Sequence, residues 1–149
     1  MQQTQLSLFE RDLTRLYKEI EKYPNENQLW ETREGITNSG GNLALHLLGN
    51  LNTYFGKNLG NTGYIRNREA EFASKNIPKA EILQAIEQAK TVVINVLQNL
   101  SNEQMEAIYP ENVLGYEMKT VTFLLHLYGH LNYHLGQINY LRRLLNAHS

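Results

Sequence analysis

Apolar residues recur every three or four positions in four segments of the chain, and this spacing predicts amphipathic helices. The segments run from about residue 6 to 23, 42 to 54, 78 to 100 and 120 to 145. The last segment is the longest, and it has room for about seven turns at 3.6 residues per turn. No stretch alternates polar and apolar residues convincingly, as a half-buried strand does. The chain is therefore predicted to be all-α.

Local signals mark the ends of these helices. Pro24 closes the first helix, and Pro78 opens the third at a first-turn position, where a missing N–H does no harm. The roughly twenty residues between the second and third helices lack periodicity and are long enough to cross a helix bundle. The run Ser101–Gln104 has capping-box form. Pro110 and Gly115 then indicate an irregular or hairpin-like connection before the fourth helix.

Four amphipathic helices without an internal repeat predict a four-helix bundle, with a long connection between helices 2 and 3. A single domain over residues 1–149 is expected, because a chain of 149 residues can bury one sizeable core and shows no linker. The residues predicted to face the core are Phe9, Leu13, Leu16, Tyr17 and Ile20, then Leu43, Leu47, Leu51 and Tyr54, then Ile82, Ile86, Ala89, Val93, Val96, Leu97 and Leu100, and finally Phe123, Leu127, Leu131, Ile138, Leu141 and Leu145.

Charge and composition exclude several classes of function. Fourteen basic residues nearly cancel fifteen acidic ones, so no overall field attracts nucleic acid or an anionic membrane. The chain has no cysteine, which removes disulfides, thiolate nucleophiles and Cys-ligated zinc. The N-terminus lacks a basic region followed by an apolar run, and no stretch approaches about 18 consecutive apolar residues. A cytoplasmic protein that binds neither nucleic acid nor membrane is expected.

Histidines occupy positions in the apolar stripes of two predicted helices. His126, His130 and His134 recur every four residues, so their imidazoles stack along the core-facing side of the fourth helix. His46 lies in the stripe of the second helix, with Asn50 one turn further on. Buried imidazoles need partners, because an unpaired polar group removed from water costs about 1–3 kcal/mol. One divalent ion can satisfy several imidazoles together.

Two interpretations of these histidines compete. A single core histidine hydrogen-bonded to a carbonyl is more common than a metal ligand, and this favours the ordinary interpretation for His46 alone. Four of the five histidines are predicted to face inward, and only His148, in the tail, is not. For this group as a whole, the metal interpretation is as strong as the ordinary one. His126 and His134 lie two turns, about 12 Å, apart and cannot share an ion. The spacing therefore leaves two candidate pairs, His126 with His130 or His130 with His134.

The run HLNYHLGQI, from His130 to Ile138, resembles the HxxxHxGQ signature near the C-terminus of DinB-like (YfiT-like) proteins. The setting of His46, HLLGNLNTYF, and the segment RNREAEF at 66–72 followed by IPKAEIL are similar to a poorly characterised branch of that superfamily. The resemblance covers essentially the whole chain, although only the His-Gly-Gln signature is specific. It implies a four-helix bundle with a divalent ion, nickel or zinc, held at one end by His46, His130 and His134.

The same resemblance implies a range of activities. In similar proteins the position of His126 is frequently histidine but is not a usual ligand. Members with assigned chemistry are transferases and isomerases that use low-molecular-weight thiols, and most members have no established reaction. The resemblance thus implies a metal-dependent thiol S-transferase or hydrolase that acts on a small molecule. Because superfamily members often associate through helices, and tyrosines are plentiful near helix ends, a homodimer is expected.

A site of three imidazoles leaves the ion at least one open position, where water or a thiolate can be activated as a nucleophile. Gln137, one turn below His134, and Asn50 are candidates to orient the ligands or the bound water. Tyr54 and Tyr133 are candidates to donate to a developing negative charge. For both tyrosines, the role of an ordinary core or rim aromatic is the more common one.

Charged residues cluster in the long connection. Arg66, Arg68, Glu69 and Glu71 form either a solvated, self-paired surface or an anion-binding or acid–base edge of the pocket. No single carboxylate stands out as a general base beside the open position. Two functions therefore remain open, an enzyme and a non-catalytic stress or binding protein that contains the metal. The balanced charge disfavours DNA binding, a third hypothesis.

Overall fold

The computed structural model describes residues 1–147, which form helices joined by turns. Within that part of the chain no strand forms, and one antiparallel bridge joins Ile108 to Lys119. This confirms the all-α prediction, and the bridge agrees with the hairpin-like connection expected there. None of the helices described is long and apolar enough to cross a membrane. In chain order the α-helices are α1, Gln2–Glu21; α2, Gly40–Leu51; α3, Asn58–Gly60; α4, Arg68–Ala73; α5, Lys79–Asn99; α6, Asn102–Glu106; and α7, Thr120–Leu145.

The four long helices pack in a regular pattern, since α1 and α2 each contact both α5 and α7. The predicted apolar stripes supply the core between them, and almost all of their residues are buried. Tyr17, Tyr54 and Leu145 are the exceptions and are only partly buried. Burying a Leu, Ile, Val or Phe side chain contributes about 1.5–3 kcal/mol, so these stripes provide the main stabilisation of the fold.

Helix ends follow the capping signals closely. Ser39 accepts a hydrogen bond of 3.2 Å from the backbone N–H of Asn42, so α2 begins at Gly40, slightly earlier than predicted. Ser101 and Gln104 make both hydrogen bonds of the predicted capping box. The bounds of α7 are those predicted from its periodicity. Helix α1 starts earlier than predicted, because the polar residues before its apolar stripe are also helical.

The connection predicted to lack structure is partly helical. Helix α2 continues through Asn52–Lys57 as a π-helix into α3, and after Asn61, which has a φ of 53°, the chain runs without regular structure to α4. Helix α4 packs against α2. The prediction missed α4 because the helix is short and Glu71, its buried residue, is charged and adds nothing to an apolar stripe.

The approach of α4 to α2 depends on two residues of α2. The side-chain amide of Asn42 donates to the carbonyl oxygens of Glu71 and Ser74 at 3.0 and 2.9 Å. Gly49 faces the Glu71 side chain so closely that an added Cβ would lie 1.8 Å from Glu71 Oε2. No L side chain fits there without moving Glu71, so the glycine brings α4 onto α2.

A buried polar cluster joins α1 to α7. Asp12 is fully buried and accepts hydrogen bonds from Tyr128 Oη at 2.5 Å and Asn132 Nδ2 at 3.1 Å. Arg11 and Arg15 pair with the same carboxylate. Burial alone would raise the pKa of Asp12, but the hydrogen bonds outweigh it and bring the pKa to about 2. Because these bonds form in only one alignment, they set the position of α7 along α1.

Candidate metal centre

Three histidines from two helices meet at one point of the fold. His46 of α2 and His130 and His134 of α7 each offer a ring nitrogen, and these nitrogens all lie within 4.8 Å of one another. The Nε2 atoms of His46 and His130 are 3.1 Å apart. Among the residues described, this is the one group of three or more such side chains with that spacing. We call it the histidine trio.

The structure decides between the two pairs that the spacing left open, because His134, and not His126, joins His130 and His46. His126 is exposed, and its ring stacks on Phe123 with centroids 5.9 Å apart. The expectation that His126 points into the core is therefore wrong. Steps of four residues rotate by about 40° around a helix of 3.6 residues per turn, so His126 lies about 80° around α7 from His134. His148 lies outside the described residues.

A carboxylate holds the outer nitrogen of His46. His46 Nδ1 lies 3.1 Å from Glu71 Oε1, and Arg66 donates to the same carboxylate through Nε at 2.8 Å and Nη2 at 3.0 Å. Burial lowers the pKa of His46, although the hydrogen bond to Glu71 opposes this shift. The imidazole is thus neutral at pH 7 and donates Nδ1–H to Glu71. Its lone pair then remains on Nε2.

The outer nitrogen of His134 has a similar partner. Gln137 Oε1 lies 2.7 Å from His134 Nδ1 and accepts a hydrogen bond from its N–H, which leaves the lone pair of the ring on Nε2. An oxygen acceptor on the outer nitrogen is the usual environment of a metal-ligating histidine, because it fixes the ring and the tautomer.

His130 differs from the other two, since its Nδ1 is buried and has no hydrogen-bond partner. Burial, with a further contribution from the neighbouring His134 and His46, lowers the pKa of His130 to about 4. None of the trio is hydrogen-bonded to a backbone carbonyl of the residues that the structure describes. The arrangement expected of ordinary core histidines is therefore not the one found here.

The donor set fits a divalent ion. Two nitrogens bound to one ion at about 2.0–2.1 Å are about 2.9 Å apart at a right angle and about 3.3 Å apart at the tetrahedral angle. The 3.1 Å between the Nε2 atoms of His46 and His130 falls between these values. Neutral imidazole suits nickel and zinc, and three such ligands leave open positions for water or substrate.

Two clefts reach the histidine trio. The larger cleft has a volume of about 500 Å³, ends at His134, and is lined by Tyr133, Gln137 and Tyr140 of α7 together with the loop 35–38. The smaller cleft has a volume of about 290 Å³ and reaches His46 and His130. A small molecule can therefore approach the trio from either side.

The other residues singled out from the sequence divide between these clefts. Tyr133 and Gln137 line the larger cleft. Glu69 lines neither of them. Tyr133 is mostly exposed, as expected of a rim residue. The residues that line the smaller cleft are Asn50, Tyr54, Arg66, Arg68 and His126.

Sequence analysis missed the role of Glu71, which it grouped with the other charges of the connection. Phe72, which packs on the ring of His46 with centroids 4.9 Å apart, was also missed. One signal was present in the sequence. Gly49 lies three residues after His46 in a buried row, and a glycine inside a helix usually has a reason such as a close approach. It indicates that another segment lies against this part of α2, but not which segment.

The chain matches a family described as proteins of unknown function (DUF1572) over residues 3–149. No curated protein matches the chain. The match extends over nearly the whole chain and includes all three histidines of the trio. It brings no activity with it, so any function has to be argued from the site.

Proposed function

The chain belongs to the DUF1572 family, and we propose that it is a metalloprotein whose histidine trio holds one divalent ion, nickel or zinc. One observation carries this proposal: three imidazoles converge within 4.8 Å, and two of them have their outer nitrogens bonded to side-chain oxygens. That arrangement presents lone pairs to a common point, which is what a cation requires. Without an ion between them, partly buried imidazoles gain little free energy from lying close to one another.

We also propose a DinB-like four-helix bundle. The packing of α1 and α2 against both α5 and α7 supports this architecture, because it is the pattern of a four-helix bundle. The HLNYHLGQ run of α7 supports the DinB-like assignment, because it supplies two members of the trio and Gln137. The bundle is proposed to act as a cytoplasmic homodimer.

The proposed activity is that of a thiol-dependent S-transferase or a hydrolase for a small-molecule substrate. A divalent ion with open positions supplies Lewis acidity that activates bound water or a thiolate at neutral pH. The protein's own residues would orient and bind. Glu71 and Gln137 hold the tautomers of His46 and His134, and the two clefts give the thiol and its substrate separate approaches.

A second candidate is a non-catalytic protein that captures a ligand at the metal. One observation favours it, because neither cleft is lined by an acidic side chain that could act as a general base. Glu71, the carboxylate nearest the trio, is already paired with Arg66. The response to thiols separates a thiol transferase from both a hydrolase and a binding protein. A cobalt-substituted thiol transferase should develop thiolate-to-metal charge-transfer bands with a low-molecular-weight thiol, whereas a protein without bands across a panel of thiols is a hydrolase or a binding protein.

Metal analysis of single alanine variants tests the site. His46→Ala, His130→Ala and His134→Ala should each lose most of the bound nickel or zinc. His126→Ala is the matched control, because His126 lies one turn away on the same helix and is exposed. It should retain the metal. At pH 7.5 the wild-type protein should melt at a lower temperature after exhaustive chelation and recover when nickel or zinc is added. No metal in the purified protein and an unchanged melting temperature would refute the proposal.

A further inference from the structure

The smaller cleft carries a positive charge that no residue in the described range 1–147 compensates. Two arginines, Arg66 and Arg68, line it, and its lining includes no acidic side chain. Arg66 is neutralised by Glu71, to which it donates two hydrogen bonds. Arg68 is exposed and has no ion pair or hydrogen bond among the residues described. Within the described part of the chain, the cleft therefore has one free cation beside the histidine trio, and it favours an anion.

Asn50 provides a second and independent indication of a ligand. The residue is only 7% exposed and lines the smaller cleft, and its Oδ1 has no hydrogen-bond partner among residues 1–147. Buried polar atoms in native proteins nearly always have partners, so an exception at a cleft indicates a group that binds there. Because rotating the amide by 180° exchanges its oxygen and its NH2, Asn50 can also donate to a bound acceptor.

The remaining walls of the cleft limit the rest of the ligand. Val113, Leu114, Phe123 and Leu127 give it an apolar side. A volume of about 290 Å³ accommodates only a small molecule, since pockets for drug-sized ligands begin at about this size. The cleft thus combines one free guanidinium, one unpaired amide and a short apolar wall.

We propose that the smaller cleft binds a small monocarboxylate with a short apolar chain, whose carboxylate pairs with the guanidinium of Arg68 within reach of Asn50. Guanidinium and carboxylate match each other in a planar pair of hydrogen bonds. Binding of the carboxylate to Arg68 needs no ion and does not depend on the proposed function. The proposal rests on the proposed function only where it takes this ligand to be the substrate. The chain of the ligand would lie against Val113 and Phe123.

The test is a pair of probes of nearly the same size, one a carboxylate and the other its neutral amide. Titration of metal-free protein with 4,4,4-trifluorobutyrate and with 4,4,4-trifluorobutyramide, followed by fluorine NMR, gives both dissociation constants. The acid should bind about tenfold more tightly than the amide, and the difference should shrink with added salt. Equal binding of acid and amide would overturn the proposal.

Two variants assign the effect to the cleft. Arg68→Gln should abolish the preference for the acid, and it should leave folding intact because Arg68 is exposed. Arg33→Gln is the matched control, since Arg33 is also exposed and lies outside the cleft, where Glu31 is its ion-pair partner. It should keep the preference. An Arg68→Gln protein that still prefers the acid would show that the carboxylate binds elsewhere.

The same titration on nickel-loaded protein separates this inference from the metal proposal. A preference for the acid that depends on Arg68, in a protein that takes up no metal, supports the carboxylate subsite while refuting the metal site. Metal uptake by the histidine trio, with no preference for the acid in either form, refutes the subsite alone. Tighter binding of the acid to the loaded protein, with a preference for the acid that Arg68→Gln still abolishes in the metal-free form, supports both.

Discussion

Replacing Glu71 by glutamine tests whether this carboxylate supports the histidine trio or only the packing of α4. The change keeps the size of the side chain and removes the charge that faces His46 and Arg66. Arg66 would lose its charged partner while its side chain stays 17% exposed. Breaking a fully buried ion pair costs about 3–5 kcal/mol, and the partial exposure of Arg66 reduces the expected loss of stability to about 2 kcal/mol.

The effect of Glu71→Gln on the metal follows from the tautomer of His46. The wild-type carboxylate can only accept, so it holds the proton on Nδ1 and the lone pair on Nε2. A glutamine amide can turn its NH2 toward the ring and favour the opposite tautomer. Loss of such an outer partner typically lowers metal affinity 10–100-fold. Competition with a chromogenic chelator at pH 7.5 measures that affinity, and urea unfolding of the metal-free protein measures the stability.

Glu69→Gln is the matched control, because Glu69 is exposed, lies on the same helix and lines neither cleft. Both its metal affinity and its unfolding midpoint should equal those of the wild type. If Glu71→Gln lowers stability but binds nickel or zinc as tightly as the wild type, Glu71 acts on packing alone. Glu71 would then have no influence on the tautomer of His46.

Three further predictions follow from the fold. Gly49→Ala should destabilise the protein by at least about 1 kcal/mol in urea unfolding, because its Cβ would lie 1.8 Å from Glu71 Oε2; unchanged stability would contradict the close contact. The pKa of His130 is about 4 in the folded state and near 6.5 when unfolded, so stability is fully present above pH 6.5 and falls toward pH 4. Urea unfolding of the metal-free protein should show that the free energy of unfolding falls by about 2 kcal/mol from about pH 6.5 to about pH 4. The His130→Gln variant should show a smaller decrease over the same pH range. Light scattering should give twice 17.2 kDa for the proposed homodimer, and the monomer mass at micromolar concentration would refute it.

The sequence was sufficient to predict the helices that bury a continuous apolar stripe. The spacing of α7 predicted both of its ends, and the stripe of α5 predicted its buried residues, because periodicity and burial have the same cause there. Helix α4 could not be predicted in this way. Its buried side chain is a carboxylate whose burial depends on Arg66 and His46, and such a contact leaves no periodic pattern.

The spacing of the histidines alone also could not determine which pair of α7 lies beside His46. Which residue of α7 meets His46 depends on how far α7 is shifted along its neighbours. Contacts between distant residues set that shift: Asp12 with Tyr128 and Asn132, and Tyr23, whose hydroxyl donates to the carbonyl of Ile138 at 2.8 Å. The resemblance to DinB-like proteins chose the same pair because its motif includes the glycine and glutamine after the second histidine.

Arg66 and Arg68 also have different roles that the sequence alone does not predict. Only two positions separate them in the chain, and the sequence gives no reason to treat them differently. In the structure Arg66 is bound to Glu71 and supports His46, while Arg68 remains a free cation in the smaller cleft. The difference arises from the close approach of α4 at Gly49, which places the Glu71 carboxylate within reach of one arginine.

The hydrogen bond between His46 and His130 joins the two nitrogen atoms that would bind a cation. Because His46 donates its Nδ1–H to Glu71, its Nε2 can only accept, so His130 donates from Nε2 across the 3.1 Å gap. Binding of an ion to both Nε2 atoms requires His130 to carry its proton on Nδ1 instead. Among the residues described, His130 Nδ1 is buried without a partner in either tautomer, so this atom does not oppose the change. Metal binding therefore replaces one hydrogen bond between the two rings by a bond from each ring to the ion.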